Sequence, residues 1–136
     1  MKVGVVIVTH YGLGQEFLHA LQQIVPGAPD FRVVSIDPAQ SVDEMRNAIA
    51  KELGAADGGK GVLVLTDMFG GTPSNISLSF MKEQLVEVVT GLNLPMLIKL
   101  ATLREDKPLE ELAAFIKSYG RRNISVASEI LPEEES

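Results

Sequence analysis

The stretch VGVVIVTH at residues 3–10 has a counterpart in VLVLTD at residues 62–67. Both are near-continuous runs of Val, Ile and Leu that end in a threonine followed by an ionisable residue. Such runs are typical of central strands in a parallel sheet, which are buried on both faces. If the two strands are neighbours, His10 and Asp67 lie together at the carboxyl edge of the sheet, where open α/β sheets place their chemistry. A histidine held by a carboxylate has one ring nitrogen fixed and the other free to react.

The rest of the chain alternates between strand and helix patterns. Short β-type runs bounded by turn residues predict strands at 3–9, 31–36, 62–66 and 85–90. Helical spacing or capping signals predict helices at 13–24, 41–53, 72–81, from about 95, and 108–119. The second helix opens on a predicted capping box of Ser41 and Glu44. In the third helix, Thr72 is the predicted N-cap and Pro73 the first helical residue.

This alternation predicts a three-layer, doubly wound α/β fold with a mainly parallel sheet. The expected strand order is 2-1-3-4, which places the topological switch point between strands one and three, next to His10 and Asp67. Residues Ile124–Val126 are predicted to add a short fifth strand. We expect one domain over residues 1–126 and a flexible acidic tail over 127–136.

Composition narrows the range of functions. The chain has 136 residues, a net charge of −6 and no cysteine, so a disulfide framework, a thiol nucleophile or a cysteine metal site is excluded. Four glutamates lie in the last eight residues and account for most of the net negative charge. The chain has no basic stripe, which argues against binding of nucleic acid. No apolar run approaches the roughly 20 residues of a membrane span. A metal site would need more ligands than His10, Asp67 and Asp37 supply.

The glycine-rich segment after the second long strand is a candidate anion site. Gly70 and Gly71 allow close backbone approach, and the helix that follows offers free N–H groups and a positive dipole end. A plain capped turn is the simpler interpretation. The segment is not a P-loop, which leaves nucleotide binding with little support. Met68, Phe69 and Asn93 are candidate partner contacts on this edge, although the first two could be core residues and Asn93 could cap a helix.

Three motifs together resemble the enzyme IIA domain of the mannose-type phosphotransferase system. They are VGVVIVTHYG at residues 3–12, VLVLTDMFGGTPSN at 62–75 and GLNLPML at 91–97, and they occur in the order and spacing of that family. The resemblance spans residues 1 to about 126. Tyr11 departs from the family pattern, in which glycine often follows the histidine, and Thr72 stands where many members have serine.

The resemblance implies a phosphohistidine carrier. In the family, the phosphocarrier HPr phosphorylates the histidine matching His10 at Nε2, and the group then passes to an enzyme IIB partner for sugar uptake. Asp67 matches the residue that bonds the other ring nitrogen, and Gly71 and Thr72 match residues that contact the phosphoryl oxygens. The family needs no metal or cofactor at this step and forms homodimers by exchanging the terminal strand. It implies a cytoplasmic protein that acts beside, but does not insert into, a membrane transporter.

Other functions remain open at this point. The same chemistry could serve a stand-alone regulatory phosphoacceptor that reports phosphoenolpyruvate supply without moving sugar. The phosphocarrier subunit of dihydroxyacetone kinase has a similar fold, but the FGGTPSN and GLNLPML motifs argue against it. A response-regulator receiver needs an acidic pair where Thr9 and His10 stand. A hydrolase that uses His10 as its base lacks an evident nucleophile. The resemblance favours the carrier in sugar uptake.

Overall fold

A four-stranded parallel sheet forms the centre of the protein. The structure is a computed structural model that describes residues 2–132. The strands are β1 (Gly4–His10), β2 (Arg32–Ile36), β3 (Val62–Thr66) and β4 (Val86–Thr90), in the spatial order β2-β1-β3-β4. All neighbouring pairs are parallel. The predicted sheet order and the predicted switch point between β1 and β3 are therefore confirmed.

Helices cover both faces of this sheet. They are α1 (Leu13–Ile24), α2 (Val42–Ala56), α3 (Thr72–Ser79), α4 (Leu94–Thr102), α5 (Leu109–Arg122) and α6 (Ala127–Ile130), with a 3-10 turn at Phe80–Lys82 after α3. None of the helices in the described part of the chain is both long enough and apolar enough to cross a membrane.

Alternate residues of the two central strands pack into two separate apolar cores, one on each face of the sheet. Ile7 and Leu65 pack with α1, α4 and α5 on one face, whereas Val8 and Val64 pack with α2 and α3 on the other. All four side chains are fully buried. Because successive strand residues point to opposite faces, an unbroken apolar run is what a strand covered on both sides requires. The three-layer prediction is confirmed for this reason.

The starts of α2 and α3 show one correct and one wrong capping prediction. At α2, Ser41 Oγ accepts from Glu44 N and Glu44 Oε1 accepts from Ser41 N, both at 3.1 Å, which confirms the capping box. At α3 the N-cap is Gly71 and not Thr72. The carbonyl of Gly71 already accepts from Asn75 N at 2.9 Å, so the helical hydrogen bonds begin one residue earlier than predicted.

The predicted fifth strand is not observed within residues 2–132. Between residues 2 and 132 the sheet has four strands, and Ile124–Val126 lies outside it without regular secondary structure. A segment becomes a strand only by bonding a neighbour, and this one connects the end of α5 to α6. The helix α6 also occupies the start of the predicted tail. Residues 133–136 lie outside the described part of the chain, so a flexible tail there stays a prediction.

Candidate functional site

His10 and Asp67 form a close pair at the carboxyl edge of the sheet. The distance from His10 Nδ1 to Asp67 Oδ2 is 2.8 Å. The pair arises from the register of β1 and β3. Val8 and Thr66 are the last residues paired between these strands, and His10 and Asp67 follow just beyond them. The His10 side chain is 40% exposed and that of Asp67 11%. The imidazole is thus accessible, while the carboxylate that holds it is shielded from water.

The Asp67 carboxylate is fixed on both oxygens. Its Oδ2 also accepts from the His10 main-chain N at 3.0 Å, and Oδ1 accepts from Met68 N at 3.1 Å. Burial raises the pKa of the Asp67 carboxyl, but the hydrogen bonds from His10 and the attraction of its ring outweigh burial, so this pKa lies below the ordinary 3.8. An ionised carboxylate only accepts hydrogen bonds, so it assigns the proton to His10 Nδ1. The lone pair of the ring is left on Nε2.

The Cε1–Nε2 edge of the ring lies against the segment that leads into α3. A Cβ added to Gly71 would lie 2.6 Å from His10 Cε1 and 3.1 Å from Nε2. The first distance is shorter than real contacts allow, so only glycine leaves room for the ring in this position. Gly70 has a φ of +87°, a left-handed conformation that also favours glycine. Gly71 therefore allows the backbone to approach the imidazole, whereas Gly70 serves the turn, since a Cβ there would meet nothing within 4 Å.

The N-terminus of α3 is open at this point. Gly71 provides no side-chain cap, and Pro73 carries no N–H. Thr72 is exposed, and within residues 2–132 its hydroxyl has no hydrogen-bond partner. The first-turn N–H groups of a helix have no partner inside the helix and carry the positive end of its dipole. A free hydroxyl and this helix end beside Nε2 are suited to an anion held on the ring.

The three predicted partner contacts are in different situations. Met68 is 53% exposed and Phe69 71% exposed, both on the loop that follows β3. They are therefore surface residues rather than core. Asn93 instead serves the fold, since its Oδ1 accepts from Met96 N as the N-cap of α4 and its Nδ2 donates to Gly120 O, each at 3.1 Å. Its contact with a partner stays a prediction.

Two neighbours of His10 were not identified as site residues from the sequence. Thr9 is fully buried, and its Oγ1 accepts from Gly14 N at 2.7 Å, which caps α1 although the N-cap position is Gly12. Tyr11 has a φ of +48° and is 60% exposed. A left-handed backbone costs a non-glycine residue roughly 1–2 kcal/mol. A hydroxyl at the end of a strand was a usable signal for Thr9, whereas no sequence pattern indicates the φ of Tyr11.

The site as a whole places an accessible imidazole nitrogen next to the open end of a helix, an arrangement suited to holding an anion. Within residues 2–132 no cluster of three metal-ligating side chains occurs. His19, the second histidine, is exposed on α1, and its Nδ1 lies 3.6 Å from Glu16 Oε1. The fold and this edge together define a class of protein: a doubly wound α/β domain with an accessible strand-end histidine held by a carboxylate.

Comparisons with known proteins specify the class further. The family model described as "PTS system fructose IIA component" matches residues 4–117. The mannose-specific EIIAB component of Escherichia coli K12 is 28% identical over 126 residues, which is 91% of this chain. The chain spans 39% of that relative's length.

Solved structures agree with the family match. The mannose/sorbose specific IIA subunit from Enterococcus faecalis superposes with a TM-score of 0.87 at 31% identity, covering 98% of this chain and 99% of that one. The EIIA component from Streptococcus agalactiae gives a TM-score of 0.83 at 26% identity, covering 94% and 99%. The chain therefore belongs to the IIA component family of the phosphotransferase system. The resemblance inferred from the three sequence motifs is confirmed.

Proposed function

We propose that this protein carries a phosphoryl group on His10 Nε2, accepting it from HPr and passing it to an enzyme IIB partner for sugar uptake. One observation supports this proposal above all others. The Asp67 carboxylate fixes Nδ1 at 2.8 Å while the Cε1–Nε2 edge of the ring lies against Gly71 at the start of α3. A ring held in this way has a single nucleophilic atom, and that atom lies beside an anion-binding helix end.

The transfer is an exchange of one phosphorus–nitrogen bond for another. The lone pair of His10 Nε2 attacks the phosphorus, and the bond from phosphorus to the donor histidine nitrogen breaks, with its electron pair returning to that nitrogen. The proton on His10 Nδ1 stays in place throughout, so the product ring is cationic next to the Asp67 carboxylate. The reverse exchange hands the group to the next histidine. The same kind of bond is made and broken, so the reaction is close to balanced in both directions.

The α3 end would stabilise the group in transit. Charge in a phosphoryl transfer is spread over three oxygens, and fixed N–H donors are an effective way to stabilise it. Gly71 and Thr72 are the residues proposed to contact these oxygens through main-chain N–H groups and the Thr72 hydroxyl. The Gly71 backbone already stands against the ring, which supports a role for this helix end in holding the phosphoryl group.

Met68 and Phe69 form the proposed docking surface beside His10. Met68 lies near the ring. A Cβ added to Gly71 would stand 3.4 Å from Met68 Cγ and 2.6 Å from His10 Cε1, so both side chains lie close to Gly71. Aromatic side chains and methionine are enriched in the cores of protein interfaces. Two partners that bind in turn need a shared surface that is not specialised for a single one. An exposed apolar loop fits that requirement.

We further propose a homodimer in which the segments at Ile124–Val126 are exchanged. The side chains of Ile124 and Val126 are 74% and 59% exposed. Strand β4 is at the edge of the sheet, and a groove of about 520 Å³ runs between it and α5. An edge strand with free N–H and C=O groups is a site for strand addition. The exchanged segment would thereby become the fifth strand that the single chain lacks.

Mass spectrometry of the intact protein tests the carrier proposal. The protein is incubated with phosphoenolpyruvate, Enzyme I and HPr, and we expect it to gain the mass of one acid-labile phosphoryl group. His10→Ala should gain nothing. His19→Ala is the matched control, since it removes the other histidine from an exposed helix face, and it should gain the group like the wild type. Phosphorylation of His10→Ala, or none of the wild type, would contradict the proposal. Addition of IIB should then remove the group.

A further inference from the structure

Tyr11 combines three properties that the fold does not explain. It follows His10 directly, its φ is +48°, and its side chain is 60% exposed. Its main chain is fully used, since Tyr11 N donates to Ile36 O at 2.9 Å and its carbonyl accepts from Thr9 Oγ1 at 3.4 Å. Glycine could make both of these bonds and would adopt this φ without strain. The backbone of the turn therefore gives no reason for a tyrosine.

The ring itself also does little for the stability of the molecule. Within residues 2–132 the Tyr11 hydroxyl has no hydrogen-bond partner, and the ring enters neither apolar core. The left-handed backbone costs stability, and the exposed ring gains little burial energy that would offset this cost. Strained conformations of this kind cluster at functional sites. The observation therefore points to a use outside the folded chain.

The position next to His10 identifies what the ring would contact. Phosphoryl exchange brings a donor nitrogen close to Nε2, so the protein that carries the donor must cover the surroundings of His10. A standard interface buries roughly 800 Å² per partner, equivalent to a disc of roughly 16 Å radius. Adjacent Cα atoms are only about 3.8 Å apart. An interface of this size built around His10 therefore covers Tyr11 as well, and tyrosine is among the residues that contribute most to affinity.

We propose that Tyr11 is a docking residue for the phosphorylated phosphocarrier and acts together with Met68 and Phe69. It is contributed by the loop after β1, whereas the other two come from the loop after β3. The three exposed apolar side chains flank His10 from both strand ends. This proposal rests on the proposed carrier function, since it specifies how the donor is recognised at the same site.

Two substitutions separate the ring from the strain. Tyr11→Ala removes the ring and keeps a strained backbone, whereas Tyr11→Gly removes both. We expect the KM for phosphorylated HPr to rise about tenfold in both variants, the factor that corresponds to about 1.4 kcal/mol, with kcat changed by less than about twofold. The urea midpoint of Tyr11→Gly should equal or exceed that of the wild type, and that of Tyr11→Ala should be lower than that of Tyr11→Gly.

A small donor provides the discriminating control. Phosphoramidate carries the same phosphorus–nitrogen bond but needs no docking surface, so it should phosphorylate His10 at the wild-type rate in both variants. Ile24→Ala is the matched surface control, because Ile24 is 52% exposed at the end of α1 that lies away from His10. Its KM should not change.

Each alternative outcome has a distinct meaning. An unchanged KM in both Tyr11 variants would overturn the docking role while leaving the carrier function intact. Equal slowing with HPr and with phosphoramidate would also overturn it, since the effect would then lie on the His10 ring rather than on docking. Failure of HPr to phosphorylate the wild type would instead reject the carrier function, and the docking role with it.

Discussion

Gly71 is the residue that decides where the His10 ring can lie. We expect Gly71→Ala to displace the ring, because the new Cβ would stand 2.6 Å from Cε1. Phosphorylation should slow by at least about tenfold, since misplacement of a reacting group by about 1 Å can cost far more than that. Gly54→Ala is the matched control, as nothing lies within 4 Å of its Cβ. It should leave the rate unchanged, and equal rates in both variants would contradict the geometry described here.

Asp67 gives the site a pH dependence whose sign follows from its lowered pKa. A carboxyl whose pKa is lower in the folded state stabilises the fold when the pH is above the pKa of the unfolded state. This contribution is lost as the pH falls through the pKa of the folded state. We therefore expect the wild type to exceed Asp67→Asn in free energy of unfolding at pH 6. The difference should shrink as pH falls below 3.8. Urea titrations at several pH values measure it, and a difference that grows toward acid would be the wrong sign.

Among single residues, the sequence predicted the His10–Asp67 pair and a glycine segment on the same edge, but not how closely Gly71 fits the ring. His10 and Asp67 could be predicted because strand register alone brings strand ends together. The fit of Gly71 to the imidazole and the left-handed φ of Tyr11 depend on tertiary distances and backbone angles. Neither leaves a periodic pattern in a single sequence, which is why Tyr11 was noticed only as a departure from the family.

Among the elements, α1 depends on a cap that lies outside it. Thr9 Oγ1 accepts from Gly14 N at 2.7 Å in a buried setting. We expect Thr9→Val, which keeps the shape of the side chain, to leave this N–H without a partner and to lower the free energy of unfolding by about 1–3 kcal/mol. Urea denaturation measures the loss. Thr102→Val is the control, since that hydroxyl is exposed and bonds only carbonyls within α4; an equal loss there would contradict a capping role for Thr9.

The elements that could be predicted are those with dense local signals. The capping box at Ser41 and the buried runs of β1 and β3 are fixed by residues a few positions apart. The N-cap of α3 was predicted one residue too late, at Thr72. Gly71 takes the extended N-cap conformation without a capping side chain, so its sequence carries no capping signal. The predicted fifth strand is not observed for a different reason. Ile124–Val126 has the composition of a strand, but composition does not provide a neighbour to pair with.

For the whole molecule, the exposed segment at Ile124–Val126 predicts self-association. We expect sedimentation velocity to show a species of twice the 14.7 kDa chain mass. Ile124→Asp combined with Val126→Asp should shift the protein to the monomer, because charged side chains would oppose burial against β4. Leu85→Asp is the control, since Leu85 is similarly exposed but lies before β4. A wild type that sediments as a monomer at high concentration would contradict strand exchange.

The proposed carrier function depends on one atom, His10 Nε2, being the free nucleophile. Long-range ¹H–¹⁵N correlation spectra of the ring before and after phosphorylation by HPr measure this directly. The pair with Asp67 predicts a proton on Nδ1 in the free protein and phosphorus on Nε2 afterwards, with the Nδ1 proton retained. A free ring protonated on Nε2, or a phosphoryl group bound to Nδ1, would contradict the central claim.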